Sequence, residues 1–101
     1  MKEPTFELEG STLYVSGDLR SPIEMKFDIM TQELLESTED PEVIIDLTEV
    51  VGLNSMYLGA LAAVASETRK AGRELTVRAR EKVGELIMQC GFDRVMTLEI
   101  E

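Results

Sequence analysis

The side chain best placed for chemistry in this chain is the hydroxyl of Ser55. It lies in the run Gly52-Leu53-Asn54-Ser55-Met56-Tyr57, between a strand-like segment and a helix-like one. Asn54 and Ser55 are both candidate helix caps, since either can accept a hydrogen bond from a free backbone N–H. A loop that cradles a free phosphate fits poorly here. Only Gly52 gives the backbone freedom, no Lys or Arg is nearby, and Glu49 repels an anion. Histidine is absent altogether, which removes the commonest general base and metal ligand. Serine–histidine, cysteine–histidine and zinc chemistries go with it, so the chain is not expected to be an enzyme, and no cofactor or metal is implied. Cys90 is the lone cysteine and excludes an internal disulfide. It completes an apolar stripe and is expected in the core.

At 101 residues the chain is one small domain, residues 1–101, large enough for a single core. No apolar run approaches the roughly 18 residues that span a bilayer. The start, Met1-Lys2-Glu3-Pro4, lacks the apolar stretch of a signal peptide, so a cytoplasmic location is expected. The net charge is −10, which argues against nucleic acid or an anionic membrane as partner. Thirteen acids and three bases fall in residues 1–54, whereas residues 55–101 hold seven of each. An acidic front half of this kind can steer a basic protein partner.

The elements that must position Ser55 follow from changes of period. Phe6 and Leu8, then Leu13 and Val15, alternate around Glu9-Gly10-Ser11 and predict an antiparallel hairpin. Ser21-Pro22 reads as a helix start, with Ile23, Phe27, Met30 and Leu34 at helical spacing and Glu39-Asp40-Pro41 as its stop. Val43-Ile44-Ile45-Asp46-Leu47 predicts a strand covered on both faces, with Asp46 at its end binding loop backbone. Leu58, Leu61, Ala62 and Ala65 mark one helical face, with Gly72 as C-terminal cap. Leu75 and Val77 alternate. Val83, Leu86, Ile87 and Cys90 form a last helical stripe before Met96, Leu98 and Ile100 alternate again. Strand–helix–strand–helix–strand implies a parallel sheet, which the leading hairpin makes mixed. Arg73, Arg78, Arg80 and Lys82 read as a solvated basic surface.

The segment Val43-Ile44-Ile45-Asp46-Leu47-Thr48-Glu49-Val50-Val51-Gly52-Leu53-Asn54-Ser55 resembles the centre of the STAS domain (sulfate transporter and anti-sigma factor antagonist). In that family a strand ending in Asp-Leu-Ser/Thr leads across a short loop into Asp-Ser-Ser-Gly-Leu-Gly. Leu13-Tyr14-Val15-Ser16-Gly17-Asp18-Leu19-Arg20 is similar to the family's Gly-Glu-Leu-Asp region, and the run from Lys82 to Leu98 resembles its third helix and following strand. The resemblance implies a STAS-like mixed sheet: an N-terminal hairpin, a βαβαβ parallel portion and helices packed against it. The family's C-terminal helix would be absent or very short, leaving a sheet face or a helix open to self-association as a homodimer.

Single-domain STAS proteins act in partner switching: they bind an anti-sigma factor or a related serine kinase, which ends the interaction by phosphorylating the motif's Ser or Thr. The resemblance places Ser55 at that phosphorylation position. A phosphate there gains from the helix dipole yet puts about two negative charges into a docking surface. Asn54 replaces the motif's Asp, Met56 its second Ser and Tyr57 its Gly, while Arg20 reverses the charge of an acid that faces the kinase in the family. Arg20, Asn54, Ser55, Met56 and Tyr57 are thus the expected partner-binding set. Met56 and Tyr57 fall opposite the Leu58 stripe and are expected to be exposed contacts. The bulky Ser-Met-Tyr run also resembles scaffold-type STAS subunits of stress-signalling complexes. A cytoplasmic STAS subunit of a lipid-transport ABC system is the remaining structural role.

Overall fold

The computed structural model describes residues 3–20 and 25–101. The helix start expected at Ser21-Pro22 and the core position expected for Ile23 lie outside the described residues. β1 (Thr5–Glu9) and β2 (Thr12–Leu19) form the hairpin, paired antiparallel with Glu9 opposite Thr12. There follow α1 (Met25–Ser37), β3 (Glu42–Leu53), α2 (Ser55–Lys70), β4 (Glu74–Ala79) and α3 (Glu81–Gln89). A single 3-10 turn, Phe92–Arg94, leads to β5 (Thr97–Ile100), and no helix follows β5 among the described residues.

The five strands lie in the order β1-β2-β3-β4-β5, and β2 to β5 are mutually parallel. Each parallel crossover carries one helix and steps the same way across the sheet. Right-handed crossovers that always advance in one direction put every helix on one face. β3 is therefore not covered on both faces, as its apolar run suggested. Val43, Ile45 and Leu47 are buried under the helices, while Ile44, Asp46 and Thr48 are only half-buried on the other side. The core is the layer between that inner face and the helices, centred on Leu13, Leu19, Ile45, Leu47, Phe27, Leu34, Leu61, Leu75 and Ile87.

β3 also runs past the loop expected after Leu47, because residues up to Leu53 keep pairing with β2. It does so with one extra residue at each of two places. Tyr14 and Ser16 face Asp46 and Glu49, and Gly17 and Asp18 face Val50 and Gly52. Such bulges bend a strand and re-aim its end. Val51 is the residue left over at the second bulge and is exposed. Gly17 beside it has φ +101, and a Cβ there would meet the Glu3 carbonyl oxygen at 2.5 Å. Conformation and space both demand glycine. Asp46 is thus mid-strand rather than terminal. Its Oδ1 accepts from the Thr48 amide (2.9 Å) and hydroxyl (2.6 Å).

α3 buries Val83, Gly84 and Ile87, and a Cβ on Gly84 would stand 2.9 Å from the Ile100 side chain, so α3 and β5 are in close contact there. Leu86 and Cys90, expected in the same stripe, are exposed: α3 packs on β3, β4 and β5 through the narrower face of Val83, Gly84 and Ile87, and its remaining flank faces solvent. Among the described residues no helix is long and apolar enough to cross a membrane.

The arginines are not a free basic surface. Arg78 pairs with Glu99 (3.1 Å), and Arg80 donates to the Thr48 carbonyl (3.0 Å). Arg73 reaches back across the chain, donating to the carbonyls of Leu35 (2.8 Å), Thr38 (3.0 Å) and Asp40 (3.0 Å). These are end-of-helix and loop carbonyls with no helical partner of their own. Arg73 therefore ties the exit of α1 to the start of β4. Arg73→Ala is expected to destabilise the fold by about 1–3 kcal/mol. Arg73→Lys should recover little of this, because an ammonium cannot match a three-way fork. Denaturant unfolding of the three proteins measures the difference.

Candidate functional site

The carboxyl ends of β2 and β3 meet the start of α2, and Asn54 joins them. Leu19 and Leu53 are register partners, and the Asn54 amide donates to the Leu19 carbonyl at 3.0 Å. Asn54 itself is extended, with φ −103 and ψ 176. Its Oδ1 accepts from the Tyr57 amide at 3.1 Å, and its carbonyl accepts the first helical bond, from Leu58, at 3.2 Å. That is the full geometry of an N-cap. Of the two candidate caps, Asn54 takes the role and Ser55 becomes the first helical residue.

Ser55 is consequently spared structural work. It is exposed, and among the described residues its hydroxyl and its amide take no hydrogen-bond partner. The first amides of a helix lack intrahelical acceptors, and the dipole there is positive. A hydroxyl at this position can receive a phosphoryl group whose charge the helix end tolerates. Met56 follows, 51 % exposed, as an apolar side chain beside that hydroxyl.

Tyr57 corrects the expected set. It is 0 % exposed, not a surface contact. Its ring packs edge-on against Phe27 with centroids 5.2 Å apart, and Phe27 packs against Phe6 at 6.2 Å. The row Phe6–Phe27–Tyr57 joins β1, α1 and α2. Tyr57, Leu61, Val64 and Thr68 are all buried, at spacings that define one helical stripe. Reading the stripe from Leu58 alone put Tyr57 on the wrong flank. The four–three–four spacing from Tyr57 was the signal that could have placed it.

Arg20 borders the same end of the sheet. Its Nε donates to Asp18 Oδ1 and its Nη2 to Oδ2, both at 2.8 Å, and its amide adds a 3.0 Å bond to Oδ1. Residues two apart on an extended chain point the same way, which is why this pair forms. The guanidinium hydrogen bonds hold the Asp18 carboxyl below its ordinary 3.8, and the carboxylate in turn raises Arg20. The Arg20 stem lies on Gly52, where a Cβ would stand 2.9 Å from its Cδ. Sequence reasoning had Gly52 only as loop freedom. It is a flat seat for Arg20. Beyond it a groove of about 330 Å³ runs between Arg20 and Val51 on one side and Lys82 and Leu86 of α3 on the other. The structure thus brings Arg20, Asn54, Ser55 and Met56 to one end of the domain and adds Asp18, Gly52, Val51, Lys82 and Leu86, while withdrawing Tyr57. Among the described residues no group of three His, Cys, Asp or Glu could hold a metal ion.

Compared with known families, residues 11–100 match the model of the STAS domain. A search among curated proteins gave no match.

Two variants separate cap from free hydroxyl. Asn54→Ala should lose about 0.5–2 kcal/mol of unfolding free energy, whereas Ser55→Ala should stay within about 0.5 kcal/mol of the parent. Equal losses in denaturant titrations would show that Ser55 shares the capping. The Asp18–Arg20 pair has a pH signature of its own. Because the folded carboxyl is depressed, its contribution is present above the ordinary carboxylate range and is lost as pH falls through the lowered value. Arg20→Gln should therefore flatten the acid side of the stability–pH curve, in the region below about pH 4.

Proposed function

The chain belongs to the STAS domain family, and from that premise we propose that it is a regulatory protein-interaction module of the anti-sigma factor antagonist type. Its partner is an anti-sigma factor or serine kinase, met in the cytoplasm, and it works by binding rather than by catalysis. The docking surface is the end of the domain that carries Arg20, Asn54, Ser55 and Met56, with the α3 groove beside it. Phosphorylation of Ser55 switches that surface off.

The observation that carries this reading is the division of labour in the first turn of α2. Asn54 caps, Tyr57 anchors, and Ser55 between them is exposed with neither task. A side chain free of structural duty can gain a phosphate without unfolding the helix it begins. The added charge still lands beside Met56, in what is otherwise an apolar contact. The Asp18–Arg20 pair favours a second reading, a scaffold subunit of a stress-signalling complex. There a carboxylate already bound to an arginine presents no free acid to a kinase.

The test is incubation with a cognate serine kinase and ATP, together with partner binding by two variants. The switch predicts phosphate on Ser55, near-parental binding by Ser55→Ala, and binding by Ser55→Asp weakened by about tenfold or more. Aspartate is a sound residue at a helix start, so Ser55→Asp should remain folded. Unmodified Ser55 together with parental binding by Ser55→Asp would leave the scaffold reading in place.

A further inference from the structure

A second surface lies on the sheet face that no helix covers, away from the first turn of α2. Strand register sets Glu7, Tyr14, Asp46, Arg78 and Glu99 in one row across all five strands. Arg78 is bound by Glu99 at 3.1 Å, so the row's only cation is engaged on the β4–β5 side. On the β1–β3 side, Glu7, Glu9, Asp46 and Glu49 stand around Tyr14, and together they line a groove of about 420 Å³. Tyr14 is 40 % exposed at its centre. Thr48 occupies one oxygen of Asp46, and Arg80 sits on the rim, bound to the Thr48 carbonyl. Among the described residues no cation pairs with Glu7, Glu9 or Glu49.

Charge decides what can cover this face. A second copy stacked on it would set four carboxylates against four, with Arg78 already neutralised, and like charges in contact are strongly disfavoured. An anionic membrane or nucleic acid is repelled for the same reason. An exposed aromatic face ringed by carboxylates suits a guanidinium. The cation lies over the ring while its N–H groups reach carboxylate oxygens in pairs. We propose that the open sheet face between β1 and β3 docks an arginine-bearing basic segment of a partner protein, with Tyr14 as its platform and Glu7, Glu9, Asp46 and Glu49 as its counter-charges. This adds a contact face separate from Ser55 and does not depend on the switch there.

The probe is a capped hexa-arginine peptide titrated into isotope-labelled protein, followed by backbone NMR shifts at low and at physiological ionic strength. Saturable shifts are expected at Glu7, Tyr14, Asp46 and Glu49, weakening with salt. Tyr14→Thr should weaken binding by about 2- to 5-fold. Glu7→Gln combined with Glu49→Gln should weaken it by about 5- to 20-fold at low salt. Asp28→Asn with Glu33→Gln removes the same charge from the outer side of α1 and should change the affinity less than twofold. All four acids are exposed, so these variants keep the fold. Equal weakening by both charge pairs, or shifts spread over α1, would overturn the site in favour of general acidity. Concentration-dependent shifts of Tyr14 without peptide would overturn it in favour of a second copy.

Discussion

Asn54 donates its amide to the Leu19 carbonyl and accepts the Tyr57 amide on its side chain. Those two bonds fix where α2 begins relative to the ends of β2 and β3. The bulges in β3 serve the same junction: without the extra residues, Leu53 would not stand opposite Leu19 and Asn54 would not reach its carbonyl. Tyr57 then locks the helix from inside, through Phe27 to the hairpin. The outcome is a helix start held on both sides of Ser55 and leaving Ser55 itself unused. A modification of the Ser55 side chain would therefore alter a surface and spare the support.

Topology supplies the other half of the account. Sequential parallel strands joined by right-handed crossovers must place α1, α2 and α3 together, so the sheet has one dry face and one wet face. The wet face is held by polar pairs instead of packing. Thr76 donates to Glu42 at 2.7 Å, Thr97 to Glu74 at 2.6 Å, Arg78 meets Glu99, and Thr5 contacts Ser16. Its excess of acid on the β1–β3 side agrees with the charge asymmetry of the chain, whose first half carries the whole net charge.

Much of this was legible in the residues. Alternation gave the hairpin and β4, helical spacing gave α1 and α2, and the motif around Ser55 gave the family. What failed did so for identifiable reasons. Ile44 made β3 look two-sided, although Asp46 and Thr48 already marked a solvated face. Tyr57 shares a stripe with Leu61 and Val64 that starting from Leu58 concealed. Cys90 and Leu86 fit a helical period, but α3 buries only the narrower face of Val83, Gly84 and Ile87. The role of Arg73 spans more than thirty residues and leaves no local trace. Gly52 as a seat for Arg20 is likewise a contact between strands, invisible along either one.

The Ser55 side chain has no part in holding the fold. Denaturant unfolding of the protein carrying phosphoserine at position 55, set against the unmodified chain, tests it most directly. A phosphate at the start of a capped helix should leave stability unchanged or raise it by about 0.3–1 kcal/mol, with a single cooperative transition. A phosphorylated protein clearly less stable than its parent, or one that unfolds without cooperativity, would show that Ser55 supports the fold.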